Sequence, residues 1–175
     1  MTTRPILIHP DPRLRKRADP VGTVDAEIRR LAADMLETMY DAPGVGLAAP
    51  QVGVGARLLV MDCTRKDEER RPMVLIDPAV TWTSEETNTH EEGCLSIPEQ
   101  YAEVIRPRRV RVSWTGLEGE PQEEEFDGLW ATCVQHEIDH LDGKLFIDYL
   151  SPLRRQLITR KMVKLKRERE RERAG

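Results

Sequence analysis

Apolar residues recur at intervals of three to five positions in two stretches of the chain, a pattern that predicts one buried face of a helix. In the first stretch, residues 23–44, the apolar positions are Val24, Ile28, Leu31, Met35 and Met39. Thr23 is the expected N-cap, with Asp25 in the first turn, and Pro43-Gly44 ends the pattern. This stretch therefore predicts an amphipathic N-terminal helix.

The second stretch is a C-terminal helix that begins near Ser151-Pro152. Its apolar stripe is Leu153, Leu157, Met162 and Leu165, so we expect it to dock on the body of the protein. Beyond this stripe, "KRERERERAG" (166–175) has no apolar residue apart from Ala174. The pattern predicts a single domain over residues 1–165 and a charged, frayed tail over residues 166–175.

Three short runs have the composition of strands: "RLLVMD", "MVLID" and "RVRVSWT", the last of which alternates apolar and polar positions. A further helix is expected over residues 128–142, after "FDG". Strands precede, separate and follow the helices without a repeating βαβ rhythm. The order predicts an α+β fold with mostly antiparallel sheets packed around this central helix.

Composition places the chain among ordinary globular proteins, with 39% hydrophobic and 33% charged residues in 175 positions. Its longest apolar runs, such as "LLVM" and "MVLI", are far shorter than the roughly 18 residues of a membrane helix. The N-terminal stretch "MTTRPILIHPDP" has no apolar core long enough for a signal peptide, and its prolines do not fit an amphipathic transit helix. Three cysteines are too few for a disulfide framework and favour a reducing compartment, so we expect a cytoplasmic protein.

Charge is unevenly distributed along the chain. Ten Lys/Arg and three Glu follow Ser151, a net charge of +7, whereas the whole chain carries −4 and residues 1–150 therefore carry −11. An acidic body is a poor surface for nucleic acid, so neither DNA nor a membrane is expected as a partner. The net positive charge of the C-terminal helix contrasts with this acidic body.

The segment "CVQHEIDHLDG" (133–143) carries the His-Glu-x-x-His pattern of zinc proteases. On a helix His136 and His140 differ by about 40° in direction and lie one turn apart, so both imidazoles can reach one metal. Glu137 points about 100° from His136 and about 60° from His140, which places it beside the metal as a general base. A catalytic metal normally has a third protein ligand.

No residue downstream of the second histidine suits that third position. Metalloproteases of the extended motif take it from position +6, which is Phe146 here, and the first later glutamate is Glu168 in the charged tail. Cys133 lies about 7.5 Å along the helix axis from the metal, which is beyond the reach of a cysteine side chain. Spacing and context favour Cys94, which follows Gly93 in "HEEGCLSIP", as the ligand.

Together these segments resemble the bacterial peptide deformylase family. "GVGLAAPQ" (44–51) matches its Gly-x-Gly-x-Ala-Ala-x-Gln motif, "EGCLS" (92–96) its second motif and "QHEIDHLDG" (135–143) its third. The order and separation of the motifs also fit, and "HPDPRLRKRADPV" is similar to the family's N-terminal stretch. The resemblance covers residues 5 to 165. It implies removal of the formyl group from N-formylmethionine at the start of new polypeptides, by attack of metal-bound hydroxide on the formyl carbonyl.

The resemblance also implies the roles of individual residues. Cys94, His136 and His140 are the metal ligands, and Glu137, the side-chain amide of Gln51 and the backbone N–H of Leu95 take part in catalysis. Substrate contacts are implied for Gly44, Val45, Gly46, Gly93, Leu129 and Cys133. This chain departs from some relatives at Tyr101, where they carry an arginine that meets the substrate.

The resemblance further implies Fe²⁺ as the metal in the cell, while the Cys/His/His set also suits Zn²⁺, Co²⁺ and Ni²⁺. The basic C-terminal helix is a possible ribosome contact by the same resemblance. Two functions of other classes stay open on the residues alone. A metalloprotease is opposed by Phe146 and by the missing later glutamate, and a non-catalytic metal-binding module has no need of Glu137.

Overall fold

A computed structural model describes residues 2–175 and contains three α-helices and seven strands in that range. The helices are α1 (Ala26–Asp41), α2 (Gly128–Leu141) and α3 (Pro152–Ala174). The strands are β1 (Gly46–Ala48), β2 (Leu58–Met61), β3 (Met73–Thr83), β4 (Thr87–Cys94), β5 (Ile97–Pro107), β6 (Arg109–Thr115) and β7 (Pro121–Asp127). Short 3₁₀ turns occupy Pro12–Arg15, Ala49–Val52 and Phe146–Tyr149. Within the described residues, no helix has the length and apolar character needed to cross a membrane.

The strands form two separate sheets. Five of them are hydrogen-bonded in the order β1-β2-β3-β6-β7, with β1 at one edge, and every neighbouring pair is antiparallel. The other two, β4 and β5, form an antiparallel hairpin. The predicted α+β class with mostly antiparallel sheets is confirmed.

Helices cover both faces of the larger sheet at β2. Leu58 and Val60 pack with the buried side of α1, whereas Leu59 and Met61 pack with α2. Because successive strand residues point to opposite faces, a strand covered on both sides needs apolar residues at every position. This explains the uninterrupted "LLVM" run, and it places α2 at the centre of the molecule as predicted.

The N-terminal helix was predicted correctly apart from its first residue. Asp25, and not Thr23, is the N-cap of α1, because the Asp25 side chain accepts a hydrogen bond from the backbone N–H of Ile28 at 3.0 Å. Helix α1 therefore starts at Ala26, two residues later than an N-cap at Thr23 would give. Both residue types are good N-caps, so composition alone could not decide between them.

The three predicted strands correspond to β2, β3 and β6, but four other strands were missed. Strand β1 is only three residues long. Strands β4, β5 and β7 are rich in charged or polar residues, and β7 ("PQEEEFD") buries only Phe126. A strand at the edge of a sheet or in an isolated hairpin buries little apolar surface, so it carries a weak sequence signal.

Helix α3 begins where predicted, and of its predicted stripe Met162 and Leu165 pack in the core cluster, whereas Leu153 and Leu157 do not. Ser151 caps it, and Ile158 and Met162 are its buried residues. The predicted contacts of Leu153 and Leu157 are wrong, since these side chains are 66% and 47% exposed. From Arg167 onward every residue is exposed while the helix continues to Ala174, so fraying of residues 166–175 stays a prediction.

Candidate metal centre and substrate cleft

Three side chains of the types that bind transition metals meet between α2 and the β4–β5 hairpin. His136 and His140 lie one turn apart on α2, and Cys94 is the last residue of β4. The Nε2 atoms of the two histidines are 3.3 Å apart, and Cys94 Sγ lies 3.3 Å from His140 Nε2. All three ligand atoms lie within 4.8 Å of one another, so the structure brings the three predicted ligands together.

These distances fit a shared metal ion. Bonds of about 2.0–2.1 Å from nitrogen and about 2.3 Å from sulfur, at tetrahedral angles, separate two nitrogens by about 3.3 Å and nitrogen from sulfur by about 3.5 Å. One thiolate and two imidazoles suit zinc, iron, cobalt or nickel. Three protein ligands leave a fourth position open, which is the arrangement of catalytic and not of structural sites.

Glu92 orients the first histidine. Its Oε1 atom lies 2.9 Å from His136 Nδ1, and because a carboxylate only accepts, Nδ1 carries the proton and Nε2 faces the other ligands. Burial lowers the pKa of His140 well below its usual value and holds that ring neutral, the form that binds metal. Burial also opposes charge on His136, but Glu137 and the hydrogen bonds of the ring outweigh it and raise the pKa of His136, so protons compete with metal there.

A buried ion-pair network continues from Glu92 away from the ligands. Arg106 donates from Nε and Nη2 to the two Glu92 oxygens, at 2.7 and 3.0 Å, and from Nη1 to Asp139 at 2.9 Å. Tyr149 donates from its hydroxyl to the same Asp139 oxygen at 2.7 Å. The side chains of Arg106 and Glu92 are only 5% and 4% exposed. Sequence analysis missed this network; the position of Glu92 beside the "GCLS" segment was its only signal.

Replacing Glu92 with glutamine should weaken metal binding by about 10–100-fold, the usual effect of losing a carboxylate partner of a ligating histidine. A neutral amide accepts more weakly from His136 and cannot satisfy both arms of Arg106. Competition with a chelator measures the affinity. Glu91→Gln is the matched control, because the Glu91 side chain is exposed. Equal affinities in the two variants would contradict this role for Glu92.

Glu137 lies beside the three predicted ligands but is not a member of the group of converging metal-binding atoms. It is 4% exposed, and its Oε1 atom lies 4.0 Å from His140 Nε2. Among the described residues this oxygen has no hydrogen-bond partner. Burial raises the pKa of Glu137 to about 7. A carboxyl group with that pKa can accept and return a proton at neutral pH, as a general base and acid must.

Strand β1 passes very close to this carboxylate. A Cβ atom at Gly46 would lie 2.5 Å from Glu137 Oε2 and 2.8 Å from Cys133 Sγ. Only glycine permits such an approach of backbone to side chain. The glycine of the "GVG" segment therefore has a steric role next to the site.

Gln51 presents its side-chain amide to the ligands. Its Oε1 atom accepts from the backbone N–H of Ala48 at 2.9 Å, and its Nε2 donates to Ser96 Oγ at 3.0 Å and lies 3.5 Å from Cys94 Sγ. The residue is 1% exposed, so these contacts fix the direction of the amide. Leu95, the other predicted donor, directly follows Cys94 and borders the same cleft.

A cleft of about 410 Å³ opens in front of these side chains. The predicted site residues that line it are Gly44, Val45, Gly46, Gln51, Gly93, Cys94, Leu95, Leu129, Cys133, His136 and Glu137. His140 is 1% exposed and does not line the cleft. Residues 97–100 of β5 also border the cleft, although no sequence motif marks them.

The other two cysteines take different places. Cys133 is 5% exposed and donates from its thiol to the carbonyl oxygen of Val45 at 3.6 Å. Cys63 is 6% exposed and packs in the same core cluster. Among the described residues, the group of converging metal-binding atoms contains Cys94 and neither of these thiols.

Comparison with known proteins gives consistent matches over nearly the whole chain. The sequence model of the polypeptide deformylase family matches residues 3–156. The chain is 58% identical over 164 residues to a peptide deformylase of Rhizobium meliloti (strain 1021), covering 94% of each protein. It is 57% identical over 175 residues to a peptide deformylase of Acinetobacter baumannii (strain SDF), covering 100% of this chain and 98% of that one.

Solved structures give the same result. The crystal structure of a peptide deformylase from Legionella pneumophila superposes with a TM-score of 0.89 at 47% identity, over 97% of this chain and 99% of that one. A peptide deformylase from Ehrlichia chaffeensis in complex with actinonin superposes with a TM-score of 0.92 at 38% identity, over 95% and 99% of the two chains.

Proposed function

The chain belongs to the polypeptide deformylase family, and from that premise we propose how its residues share the reaction. It is a metal-dependent hydrolase that removes the N-formyl group, as formate, from the N-terminal formylmethionine of newly made polypeptides. One observation carries the assignment of roles. Three metal-binding atoms converge beside a buried, unpartnered carboxylate at the base of a cleft.

Cys94, His136 and His140 are the proposed metal ligands. A divalent metal held by these residues would act as a Lewis acid and would lower the pKa of water in the site from 15.7 to about 7. The ligand set does not select one metal, and iron, zinc, nickel and cobalt all accept a thiolate with two imidazoles. We assign Fe²⁺ as the metal in the cell, on the family resemblance, with one ion per chain.

Glu137 is the proposed general base and acid. Its carboxylate takes a proton from the attacking water and returns a proton to the departing amine of methionine. A positioned group of this kind contributes about 10²–10⁴ to the rate. Burial raises its pKa to about 7, which suits both transfers at neutral pH.

Gln51 and Leu95 are the proposed donors to the oxyanion that forms from the formyl carbonyl. The Gln51 amide is held by Ala48 and Ser96, so it is aimed before substrate arrives. A donor fixed in this way lowers the barrier without having to reorganise during the reaction. Leu95 contributes its backbone N–H, which is independent of side-chain type.

The peptide itself is proposed to bind along β1. This strand is an edge of the five-stranded sheet, so its outer side can pair with an added strand. Gly44, Val45 and Gly46 provide that edge, and Gly93 borders the opposite wall. Val45, Leu129 and Cys133 then enclose the methionine side chain. Backbone pairing tolerates many sequences, as an enzyme that acts on most new chains requires.

Turnover of formyl-Met-Ala-Ser with Fe²⁺ or Ni²⁺, measured as free amine released, tests the proposal. The alternative of a metalloprotease predicts cleavage of casein with blocked amines instead. A binding module predicts metal uptake with turnover of neither substrate. Release of amine from the formyl peptide alone is the expected result.

We also propose the ribosome as a partner, through α3. Arg160, Lys164, Arg167 and Arg171 follow one another at helical spacing and border a shallow depression on the helix surface. A basic stripe on an otherwise acidic protein suits the phosphates of ribosomal RNA. This contact would place a cytoplasmic enzyme beside its substrate as the nascent chain emerges.

A chain that ends after Lys166 should co-sediment with ribosomes less than the full chain. A higher salt concentration should weaken ribosome binding by both proteins. The removed segment carries a net charge of only +1. Weaker co-sedimentation would therefore reflect the loss of Arg167 and Arg171 from the stripe and not a large change in total charge. Replacing Arg160 and Lys164 with glutamine should have a similar effect. Replacing Arg154 and Arg155, on other faces of α3, is the matched control. Equal sedimentation of all forms would reject the stripe, while turnover of a short formyl peptide should survive every change.

A further inference from the structure

The first residues of the chain form an N-terminal strap, residues 2–9, that has no helix or strand of its own. Its start is tied to α1, because the backbone N–H of Thr2 donates to Asp34 at 2.9 Å and Arg4 forms an ion pair with Asp34 at 3.0 Å. Its end is tied to α3, since His9 Nε2 lies 2.9 Å from Thr159 Oγ1. The strap is therefore anchored at both ends.

Between these anchors the strap contacts the two segments that flank the site. The backbone N–H of Leu7 donates to the carbonyl oxygen of Gln51 at 2.7 Å, and that of His9 donates to the carbonyl oxygen of Ser96 at 2.9 Å. Alternate N–H groups of an extended chain point the same way, which explains why the two donors, Leu7 and His9, are two residues apart. Within residues 2–175, the N–H groups of Ile6 and Ile8 make no hydrogen bond to protein.

The two carbonyls belong to residues that also meet through their side chains. Gln51 Nε2 donates to Ser96 Oγ at 3.0 Å, and both residues are at most 1% exposed. The strap holds the main chain of each residue, and the side-chain bond holds them together. A shift of either segment would turn the Gln51 amide away from Cys94, 3.5 Å from its Nε2.

We propose that Leu7 and His9 are positioning residues for the reaction, which fix the Gln51 donor through backbone hydrogen bonds to Gln51 and Ser96. The inference rests on the proposed role of Gln51 as an oxyanion donor. Removing such a donor costs about 10²–10³ in kcat. If the Gln51 amide is still present but no longer held in its direction, kcat should fall by only part of that factor, about tenfold.

Leu7→Pro tests this directly, because proline has no N–H to donate. Ile6→Pro is the matched control: it introduces the same residue one position earlier, where the N–H makes no protein hydrogen bond, and Ile6 is also partly buried. We expect kcat of Leu7→Pro to be about tenfold below that of Ile6→Pro, with KM and metal content unchanged. Equal kcat values, or a change in KM alone, would overturn the proposal.

A double-mutant cycle separates positioning from general support of the fold. If the strap acts through Gln51, Leu7→Pro should lower kcat no further in a Gln51→Ala background. Independent, additive losses would overturn the proposal even if the single variant is slow. Turnover by the unmodified chain in the same assay shows that the deformylase assignment holds, so its failure is distinguishable from failure of the strap.

If Leu7→Pro does not fold, a second variant tests the same hydrogen bond. In this variant an ester oxygen replaces the backbone N–H of Leu7. Cys63 allows residues 1–62 to be synthesised and ligated to the rest of the full-length protein. The ester keeps the leucine side chain and removes only the donor. Again kcat should fall about tenfold, and unmodified kcat in the folded ester would overturn the proposal.

Discussion

Glu137→Gln should retain its metal and lose turnover by at least about 10²–10⁴, the contribution of a positioned general base. The amide has nearly the shape of the carboxylate but cannot accept a proton from water. Because Glu137 lies beside the three ligands and is not one of them, its charge is not needed to hold the ion. The variant thus separates proton transfer from metal binding.

Metal content and kcat on a formyl peptide are the two measurements for this variant. Glu99→Gln is the matched control, since Glu99 is an exposed glutamate that lines the same cleft. It should keep kcat near that of the unmodified chain. Near-normal kcat in a fully metal-loaded Glu137→Gln protein would assign the proton transfer to another group.

Cys94→Ala should abolish stable metal binding and, with it, turnover. Only two imidazoles would remain of the three convergent ligands, and two protein ligands rarely retain a catalytic metal. The Cys94 thiolate is also the only negatively charged ligand of the three, so its loss removes the main electrostatic attraction for a divalent ion.

Cys133→Ala and Cys63→Ala are the controls, and both should keep near full metal occupancy. Their thiols lie in the cleft wall and in the core, outside the ligand group. Elemental analysis of the three purified variants decides the matter. Full occupancy in Cys94→Ala would exclude it as a ligand.

Local patterns in the sequence predicted the central helix and two of the proposed metal ligands that it carries. The relative directions of His136, Glu137 and His140 follow from helix geometry alone. The helix itself was expected after the "FDG" segment, and it begins there, at Gly128. The burial that raises the pKa of Glu137 depends on Gly46 and β1, which lie far away in sequence.

Contacts between distant segments were much harder to predict. Cys94 could be favoured by eliminating other residues, but nothing in the local pattern joins Glu92 to Arg106, 14 residues away across the β4–β5 hairpin. That hairpin was itself missed, because it is rich in polar and charged residues. The strap contacts of Leu7 and His9 are made by backbone groups, which leave no trace in residue type.

The face of α3 was predicted wrongly at its first two positions, Leu153 and Leu157, for a different reason. Leu153 and Leu157 fit an apolar stripe as well as Ile158 does, yet only Ile158 is buried with Met162. Which leucines are covered depends on how the helix lies against Phe146 and Val104, members of the same core cluster. Periodicity detects an amphipathic helix without fixing its rotation against the rest of the fold.

The division of the strands into two sheets gives the proposed metal a structural role as well as a catalytic one. Cys94 comes from the separate β4–β5 hairpin, whereas both histidines come from the helix under the larger sheet. An ion bound by all three residues would therefore cross-link two parts of the fold that share no strand pairing. By thermodynamic linkage, each tenfold rise of free metal above its dissociation constant adds about 1.4 kcal/mol to the free energy of unfolding. Metal supply should then influence the fraction of chains that are folded, in addition to the fraction that are active.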